Sequence, residues 1–334
     1  MKAVEEMREF CREALGIPES VFPELIPLGG RGSDRSFFRL QWDRGKSAIL
    51  VHYDPQRVEN TFYAEIAEFL KEIEVPAPRV IRHGPAACLL LLEDLGDADL
   101  WSFRKTSWEE RAPLYRKALM SLHRLHSFPA KKFPSGRVRL MEGFGPDLYR
   151  WERDYFREHF VGKVCGIRMD PAFERELEAE LSALGERLSG TGRCLVHRDL
   201  QSQNVMIREG EPFFIDFQGM RFGSPFYDLG SLLCDPYVTF EDREREELLS
   251  FYHRLPPEGL DWECFQHYFW EASAQRLMQA LGAYGFLSLR KGLRAFREHI
   301  PAGLRNLRQA VSQAASLPLL RELVLTCRKA IARR

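Results

Sequence analysis

Apolar positions recur at helical spacing over residues 3–16, and the pattern stops at Gly16, ahead of Pro18 and a proline-rich connection to Pro27. The period then changes. Residues 37–42 and 48–53 are rich in aromatic and branched side chains and flank Asp43-Arg44-Gly45-Lys46, which predicts a hairpin. Residues 25–28, ahead of Gly29-Gly30-Arg31-Gly32, add a strand, so three antiparallel strands are expected in succession, the first pair joined by a glycine-rich turn. A helix is predicted over 58–72. Val75-Pro76-Ala77-Pro78 ends it, and 80–82 and 88–92 read as two more strands.

After Glu93-Asp94-Leu95-Gly96 the helical period takes over. Ser107-Trp108-Glu109-Glu110 forms a capping box, and Leu114, Ala118, Leu122 and Leu125 follow at helical spacing up to His126. Further helices are predicted over 148–160, 173–188, 241–254, 263–281 and much of 287–332, with short strands at 194–197, 205–208 and 212–217. The expected class is α+β. A β-rich N-terminal lobe over 1–94, a small antiparallel sheet carrying one helix, precedes a larger, mainly helical lobe over 95–334.

Composition adds exclusions. Of the 334 residues 45% are apolar, and 48 basic side chains balance 48 acidic ones, so a broad polyanion-binding surface is not expected and nucleic acid is excluded as a partner. The seven cysteines are scattered and never form a C-x-x-C pair, as expected of thiols in a reducing compartment. No apolar run is long enough to cross a bilayer, and Met1-Lys2-Ala3-Val4-Glu5-Glu6 does not resemble a signal peptide, so a cytoplasmic protein without membrane contact is expected. The neutrality is uneven. Residues 271–334 hold twelve basic against three acidic side chains, a charge of +9, leaving −9 for the rest.

The chemistry is concentrated in His197-Arg198-Asp199-Leu200-Gln201-Ser202-Gln203-Asn204, followed by Ile215-Asp216-Phe217. This is the H-R-D-L-x-x-x-N form of a kinase catalytic loop, with a second aspartate at the end of the next hairpin. Phosphoryl transfer needs a base near the acceptor hydroxyl and oxygen ligands for Mg²⁺. Asp199, with His197 beside it, is the catalytic candidate, and Asn204 and Asp216 are the metal-binding candidates.

These residues, with Pro225-Phe226-Tyr227-Asp228-Leu229, resemble the aminoglycoside phosphotransferase and choline kinase superfamily over nearly the whole chain. The resemblance implies a bilobal protein-kinase-like fold, ATP and Mg²⁺ as cofactors, and a structural role for Asp228 in supporting the catalytic loop. A protein kinase is disfavoured, because the eight residues between Asp216 and Pro225 leave no room for an activation segment, and Asp216-Phe217-Gln218 lacks the glycine of D-F-G. The acceptor is therefore expected to be a small molecule.

Gly30, Gly32, Ser33 and Arg35 belong to the loop expected to cover the phosphates, and the resemblance places the adenine at the backbone of Glu93 to Leu95. One departure stands out. The third strand, Ala48-Ile49-Leu50-Val51-His52-Tyr53, lacks the usual phosphate-binding lysine. His52 occupies its place, with Lys46 and Arg35 as substitutes and Glu59 or Glu65 as the helix acid; the alternative is that His52 is an ordinary strand residue.

Within the superfamily, Gly32-Ser33-Asp34-Arg35-Ser36-Phe37-Phe38-Arg39 and Gln275-Arg276-Leu277-Met278-Gln279 most resemble bacterial anomeric kinases of N-acetylmuramate and N-acetylglucosamine. That implies an amino-sugar acceptor, with Asp154, Tyr155, Arg276 and Gln279 as binding candidates. Arg276 or Arg290 is suited to a substrate carboxylate, and the basic C-terminal segment argues against a polycationic acceptor. An aminoglycoside, homoserine or choline-like kinase and a nucleotide-binding pseudokinase remain alternatives.

Overall fold

The computed structural model describes residues 2–29, 35–43, 45–256 and 259–333. Helix α1 (Lys2–Leu15) precedes five antiparallel strands, β1 (Glu24–Leu28), β2 (Ser36–Trp42), β3 (Lys46–His52), β4 (Val80–Gly84) and β5 (Leu89–Glu93), in the spatial order β1-β2-β3-β5-β4. Helix α2 (Tyr63–Glu72) lies between β3 and β4, entered through a 3-10 turn at Val58–Phe62. Alternation along the strands sends successive residues to opposite faces. Leu40, Ala48, Leu50, Leu89 and Leu91 pack with Cys11 of α1 on one face. Val51, Leu90 and Leu92 join Ile66, Phe69 and Leu70 of α2 on the other, in a core that continues into the second lobe.

The second lobe contains α3 (Trp108–His126), α4 (Pro146–Phe156), which runs on as a π-helix over Arg157–Val164, and α5 (Pro171–Gly190). Strands β6 (Cys194–Val196), β7 (Val205–Arg208), β8 (Glu211–Phe214) and β9 (Arg221–Gly223) follow. They form two antiparallel ribbons, β6 with β9 and β7 with β8. Helices α6 (Pro225–Leu233), α7 (Asp242–His253), α8 (Trp262–Leu289), α9 (Ile300–Gln313) and α10 (Pro318–Ala332) complete the chain. The capping box at α3 is formed: Ser107 Oγ accepts from the Glu110 amide, and the Glu110 carboxylate accepts from the Ser107 amide at 3.1 Å.

Two differences from the sequence pattern have physical causes. No break divides α8 near residue 282, because its glycines serve contact rather than termination. A Cβ on Gly282 would sit 2.9 Å from the Tyr155 ring, and one on Gly285 would sit 2.5 Å from the His159 carbonyl oxygen. Gly285→Ala is therefore expected to lower stability by roughly 1–3 kcal/mol in urea unfolding, since a backbone carbonyl cannot move aside as a flexible side chain can. Helix α6 gave no helical signal because every residue from Phe226 to Leu233 is buried, leaving no polar face to mark the period.

The hairpin β7–β8 is tied to the connections on both sides of β4 and β5. The Phe214 amide donates to the Pro76 carbonyl at 2.8 Å, and the Ile207 amide donates to Ala98 at 2.8 Å. These bonds fix the position from which the chain enters the Asp216 turn.

Candidate active site

Strand β6 carries the chain to His197, and two aspartates pin the loop that follows. Asp228, in the first turn of α6 and fully buried, accepts from the His197 amide through Oδ2 (2.7 Å) and from the Arg198 amide through Oδ1 (2.8 Å). His126 Nε2 lies 3.1 Å from the same Oδ2 and places its Nδ1 2.7 Å from the Tyr252 hydroxyl. Asp235, just beyond α6, accepts from the Ser202 amide (2.8 Å) and hydroxyl (2.5 Å), and from the Tyr237 amide (2.9 Å). Burial pushes the Asp235 carboxyl up to about 6, with the Ser202 and Tyr237 hydrogen bonds opposing that rise. The loop is thus held at both ends. Arg198 between them adopts φ 78°, a left-handed conformation that a non-glycine residue keeps only where its surroundings enforce it.

His197 is 1% exposed and bonded to backbone on both sides. The Asp199 amide donates to Nδ1 at 3.3 Å, which leaves the proton on Nε2, 2.9 Å from the Ile215 carbonyl oxygen. The imidazole therefore braces the catalytic loop against the strand leading to Asp216. Asp199 itself has a side chain 37% exposed, enough to meet an acceptor from the cleft. Its Oδ1 accepts from Arg276 Nη2 at 2.6 Å. Arg276 also donates to Gln279 Oε1 (2.6 Å) and Ser231 Oγ (3.2 Å). Burial opposes its charge, but Asp199 beside it more than compensates and raises the guanidinium pKa above the ordinary value.

The Asn204 amide group donates through Nδ2 to the Asp199 carbonyl at 2.8 Å. Its Oδ1 remains as an acceptor. The Ile215 amide donates to the Asn204 carbonyl at 3.0 Å, which places Asn204 and Asp216 on adjoining backbone. Asp216 has φ 65°, and Phe217 behind it is fully buried with its ring 4.4 Å from that of Tyr63. Arg35 Nη2 donates to Asp216 Oδ1, and Gln218 Nε2 donates to the same oxygen at 2.8 Å. Burial would lift the Asp216 carboxyl, but the charge and hydrogen bond of Arg35, with that of Gln218, hold it below the usual range. An amide oxygen and an ionised carboxylate on adjoining backbone fit a hard divalent cation. No cluster of three or more His, Cys, Asp or Glu side chains able to hold a metal occurs among the described residues. Such an ion would thus draw the rest of its shell from phosphate oxygens and water.

The nucleotide-side candidates separate. Gly30, Gly32 and Ser33 lie outside the described residues. His52 shares the strand face of Ala48 and Leu50, which packs toward α1, and is exposed there; the structure does not bring it to the cleft. Lys46 pairs with Asp43 at the hairpin end. Glu59 lies 4.0 Å from Arg57, and Glu65 is engaged by Arg139 at 2.6 Å, so neither acid meets a third-strand cation. On the face of β3 opposite His52, Ile49 and Val51 are apolar, and Ser47 near the start of the strand is bonded to Asp94. Glu93 accepts from the Arg79 amide at 2.7 Å, and Leu95 is buried.

The hinge contains a side-chain clamp that sequence reading missed. Arg39 on β2 donates through Nε to Asp94 Oδ2 (2.6 Å) and through Nη2 to Asp94 Oδ1 (3.1 Å), to Asp97 (2.8 Å) and to the Gly96 carbonyl (3.3 Å). The Asp94 side chain thus fastens the sheet to the inter-lobe connection.

On the acceptor side, Arg276 is bonded to Asp199, and Gln279 reaches it only through Arg276. Asp154 does not: it pairs with Arg157 and lines a small cavity with Met169, Leu177, Leu181 and Leu323, on the α5 side of α4. Tyr155 stacks on Trp151 at 5.1 Å and packs 5.8 Å from Phe286. Beneath α8, Glu152 is fully buried between the Tyr227 hydroxyl (2.7 Å) and Gln275 Nε2 (2.9 Å). Its burial raises its pKa despite those bonds.

Comparison with known proteins agrees with this fold. Residues 24–268 match the family model described as the phosphotransferase enzyme family. The chain is 26% identical to the N-acetylmuramate/N-acetylglucosamine kinase of Neisseria meningitidis serogroup B, covering 92% of each chain. It is 25% identical to the protein of the same name from Pseudomonas aeruginosa, over 90% of this chain and 88% of that one. Among solved structures, an ADP-bound aminoglycoside phosphotransferase superposes with a TM-score of 0.58 at 15% identity, covering 93% of this chain and 98% of that chain. A choline kinase from Streptococcus pneumoniae superposes at 0.57 with 17% identity, covering 93% and 99%. These neighbours share the bilobal protein-kinase-like fold. With the family match spanning both lobes and enclosing Asp199, Asn204 and Asp216, the chain belongs to the phosphotransferase enzyme family.

Proposed function

We propose that this phosphotransferase moves the terminal phosphoryl group of ATP to the anomeric hydroxyl of an N-acetylated amino sugar of the N-acetylmuramate or N-acetylglucosamine type. The observation that carries the acceptor assignment is the likeness, over about nine tenths of both chains, to relatives bearing that name. The site supports it. Asp199 presents a partly exposed carboxylate whose Oδ1 is taken by Arg276, leaving Oδ2 to orient the acceptor hydroxyl and accept its proton. His197 positions that carboxylate through the loop backbone. Asn204 and Asp216 would hold Mg²⁺, which when bound neutralises phosphate charge. Arg35, with Gly30, Gly32 and Ser33 of its loop, would contact the phosphates, and the backbone from Glu93 to Leu95 the base. Gln279, Arg276 and Tyr155 are retained as acceptor-side residues. Asp154, facing α5, is not.

The test is mass spectrometry of products formed with ATP and Mg²⁺ from N-acetylmuramate, N-acetylglucosamine, their 1-O-methyl glycosides, an aminoglycoside panel, homoserine and choline. Acid-labile sugar phosphates from the free sugars, and none from the methyl glycosides, are expected. Phosphorylated methyl glycosides would refute the anomeric assignment. Transfer to an aminoglycoside, homoserine or choline in preference to the sugars, or no transfer at all, would refute the acceptor class.

A further inference from the structure

The apolar cleft side of β3 raises the question of which cation serves the phosphates. Ile49 and Val51 occupy the positions nearest the cleft, and Arg39 is committed to Asp94, Asp97 and the Gly96 carbonyl. Arg35, the residue preceding β2, reaches 181 positions along the chain to Asp216. Its guanidinium lies 5.4 Å from the centre of the Phe37 ring, and its side chain is only 11% exposed. The charge of Asp216 is thus already matched, and its Oδ1 carries two donors, from Arg35 and Gln218.

A guanidinium and a divalent cation compete for one carboxylate, whereas a phosphate offers the planar guanidinium fork two oxygens for a bidentate pair and equal or greater charge. From this competition we infer that Arg35 is a counter-ion latch: it occupies Asp216 in the nucleotide-free protein and transfers to the nucleotide phosphates, releasing Asp216 to the metal. Nucleotide and metal then bind with positive coupling, because each favours the state in which the ion pair is open, and the coupling is reciprocal. The inference rests on the reading of Asp216 as a metal ligand. It also supplies a phosphate-binding cation from the residue preceding β2, where the cleft side of the third strand has none.

The experiment is a titration of the full-length, nucleotide-free protein with Mn²⁺, following free Mn²⁺ by electron paramagnetic resonance, together with calorimetric titration by ADP. Wild type is expected to bind Mn²⁺ weakly, and Arg35→Gln to bind it about tenfold or more tightly, the range set by removing a hydrogen bond to a charged group. Arg35→Lys keeps the cation and should stay weak, and Asp216→Asn combined with Arg35→Gln should abolish the gain. In the ADP titration Arg35→Gln should lose about tenfold in affinity. If Arg35→Gln binds Mn²⁺ no more tightly than wild type while Asp216→Asn still weakens it, the latch fails and Asp216 remains a ligand. If Asp216→Asn leaves Mn²⁺ binding untouched, the metal assignment and the latch both fail. Unchanged ADP affinity in Arg35→Gln overturns the transfer to phosphate. Failure of wild type to phosphorylate any sugar bears on the acceptor alone, since neither titration depends on turnover.

Discussion

The Asp199→Asn variant is expected to lose about a hundred- to ten-thousand-fold in turnover, the range for a positioned general base, while binding nucleotide as wild type does. Asparagine keeps an oxygen for Arg276, so the 2.6 Å contact and the loop around it can persist. What disappears is the oxygen able to take the proton of the acceptor hydroxyl. Asp199→Ala is a harsher change, because it strips a buried, permanently charged guanidinium of its carboxylate partner. Steady-state kinetics with amino sugar and ATP, beside calorimetric nucleotide titration, reads both effects. Turnover within a few-fold of wild type in the asparagine variant would remove Asp199 from its assigned role.

Asp228→Ala should cost roughly 2–6 kcal/mol of stability, from two buried backbone donors left unsatisfied at about 1–3 kcal/mol each. Those donors are the amides of His197 and Arg198, and Arg198 occupies a backbone conformation its side chain does not favour. The effect should appear first as a lowered urea midpoint. Loss of turnover should follow in the fraction that remains folded, since Asp199 is the next residue along. Asp228→Asn should be only partly milder, because its amide group must point a donor at one of the two N–H groups. Unchanged stability in the alanine variant would show that the loop has another anchor.

Much of this was legible in the chain. The five strands of the first lobe follow from short runs of apolar, aromatic and branched residues bounded by hairpin, glycine and proline signals, and the helices α3, α5 and α7 from apolar spacing and, at α3, its cap. The string from His197 to Asn204, with Asp216, marks the reacting centre because phosphoryl transfer demands those groups at short sequence range. What stayed hidden depends on contacts between distant positions. Arg35 with Asp216 and Arg276 with Asp199 span 181 and 77 residues, and neither arginine announces its partner. Arg276 was expected to meet a substrate carboxylate and instead holds a carboxylate of the protein. Asp235 lies just beyond the end of α6 and 33 residues from Ser202, the partner it holds, so its role was equally hidden. The basic C-terminal segment was given a part in acceptor choice, but Arg290, Arg294, Arg297, Arg305, Arg308 and Arg321 are exposed. Only Arg276 of the arginines named from that segment is bonded to a residue of the site.

The apolar core passes beneath the hinge without interruption, from Val51, Leu90 and Leu92 in the sheet through Phe217 and Leu229 to Leu323 and Cys327 in α10. The sheet has a second, smaller core of its own against α1, but its α2 face shares the main core with the helical lobe. Cutting the chain after the sheet would leave α2 in place but strip from Tyr63 and Phe69 the cover they have from Phe217, Phe128 and Phe133, baring apolar surface on both pieces. A change that loosens the α2 face of the sheet is therefore felt in the helical lobe through that shared core.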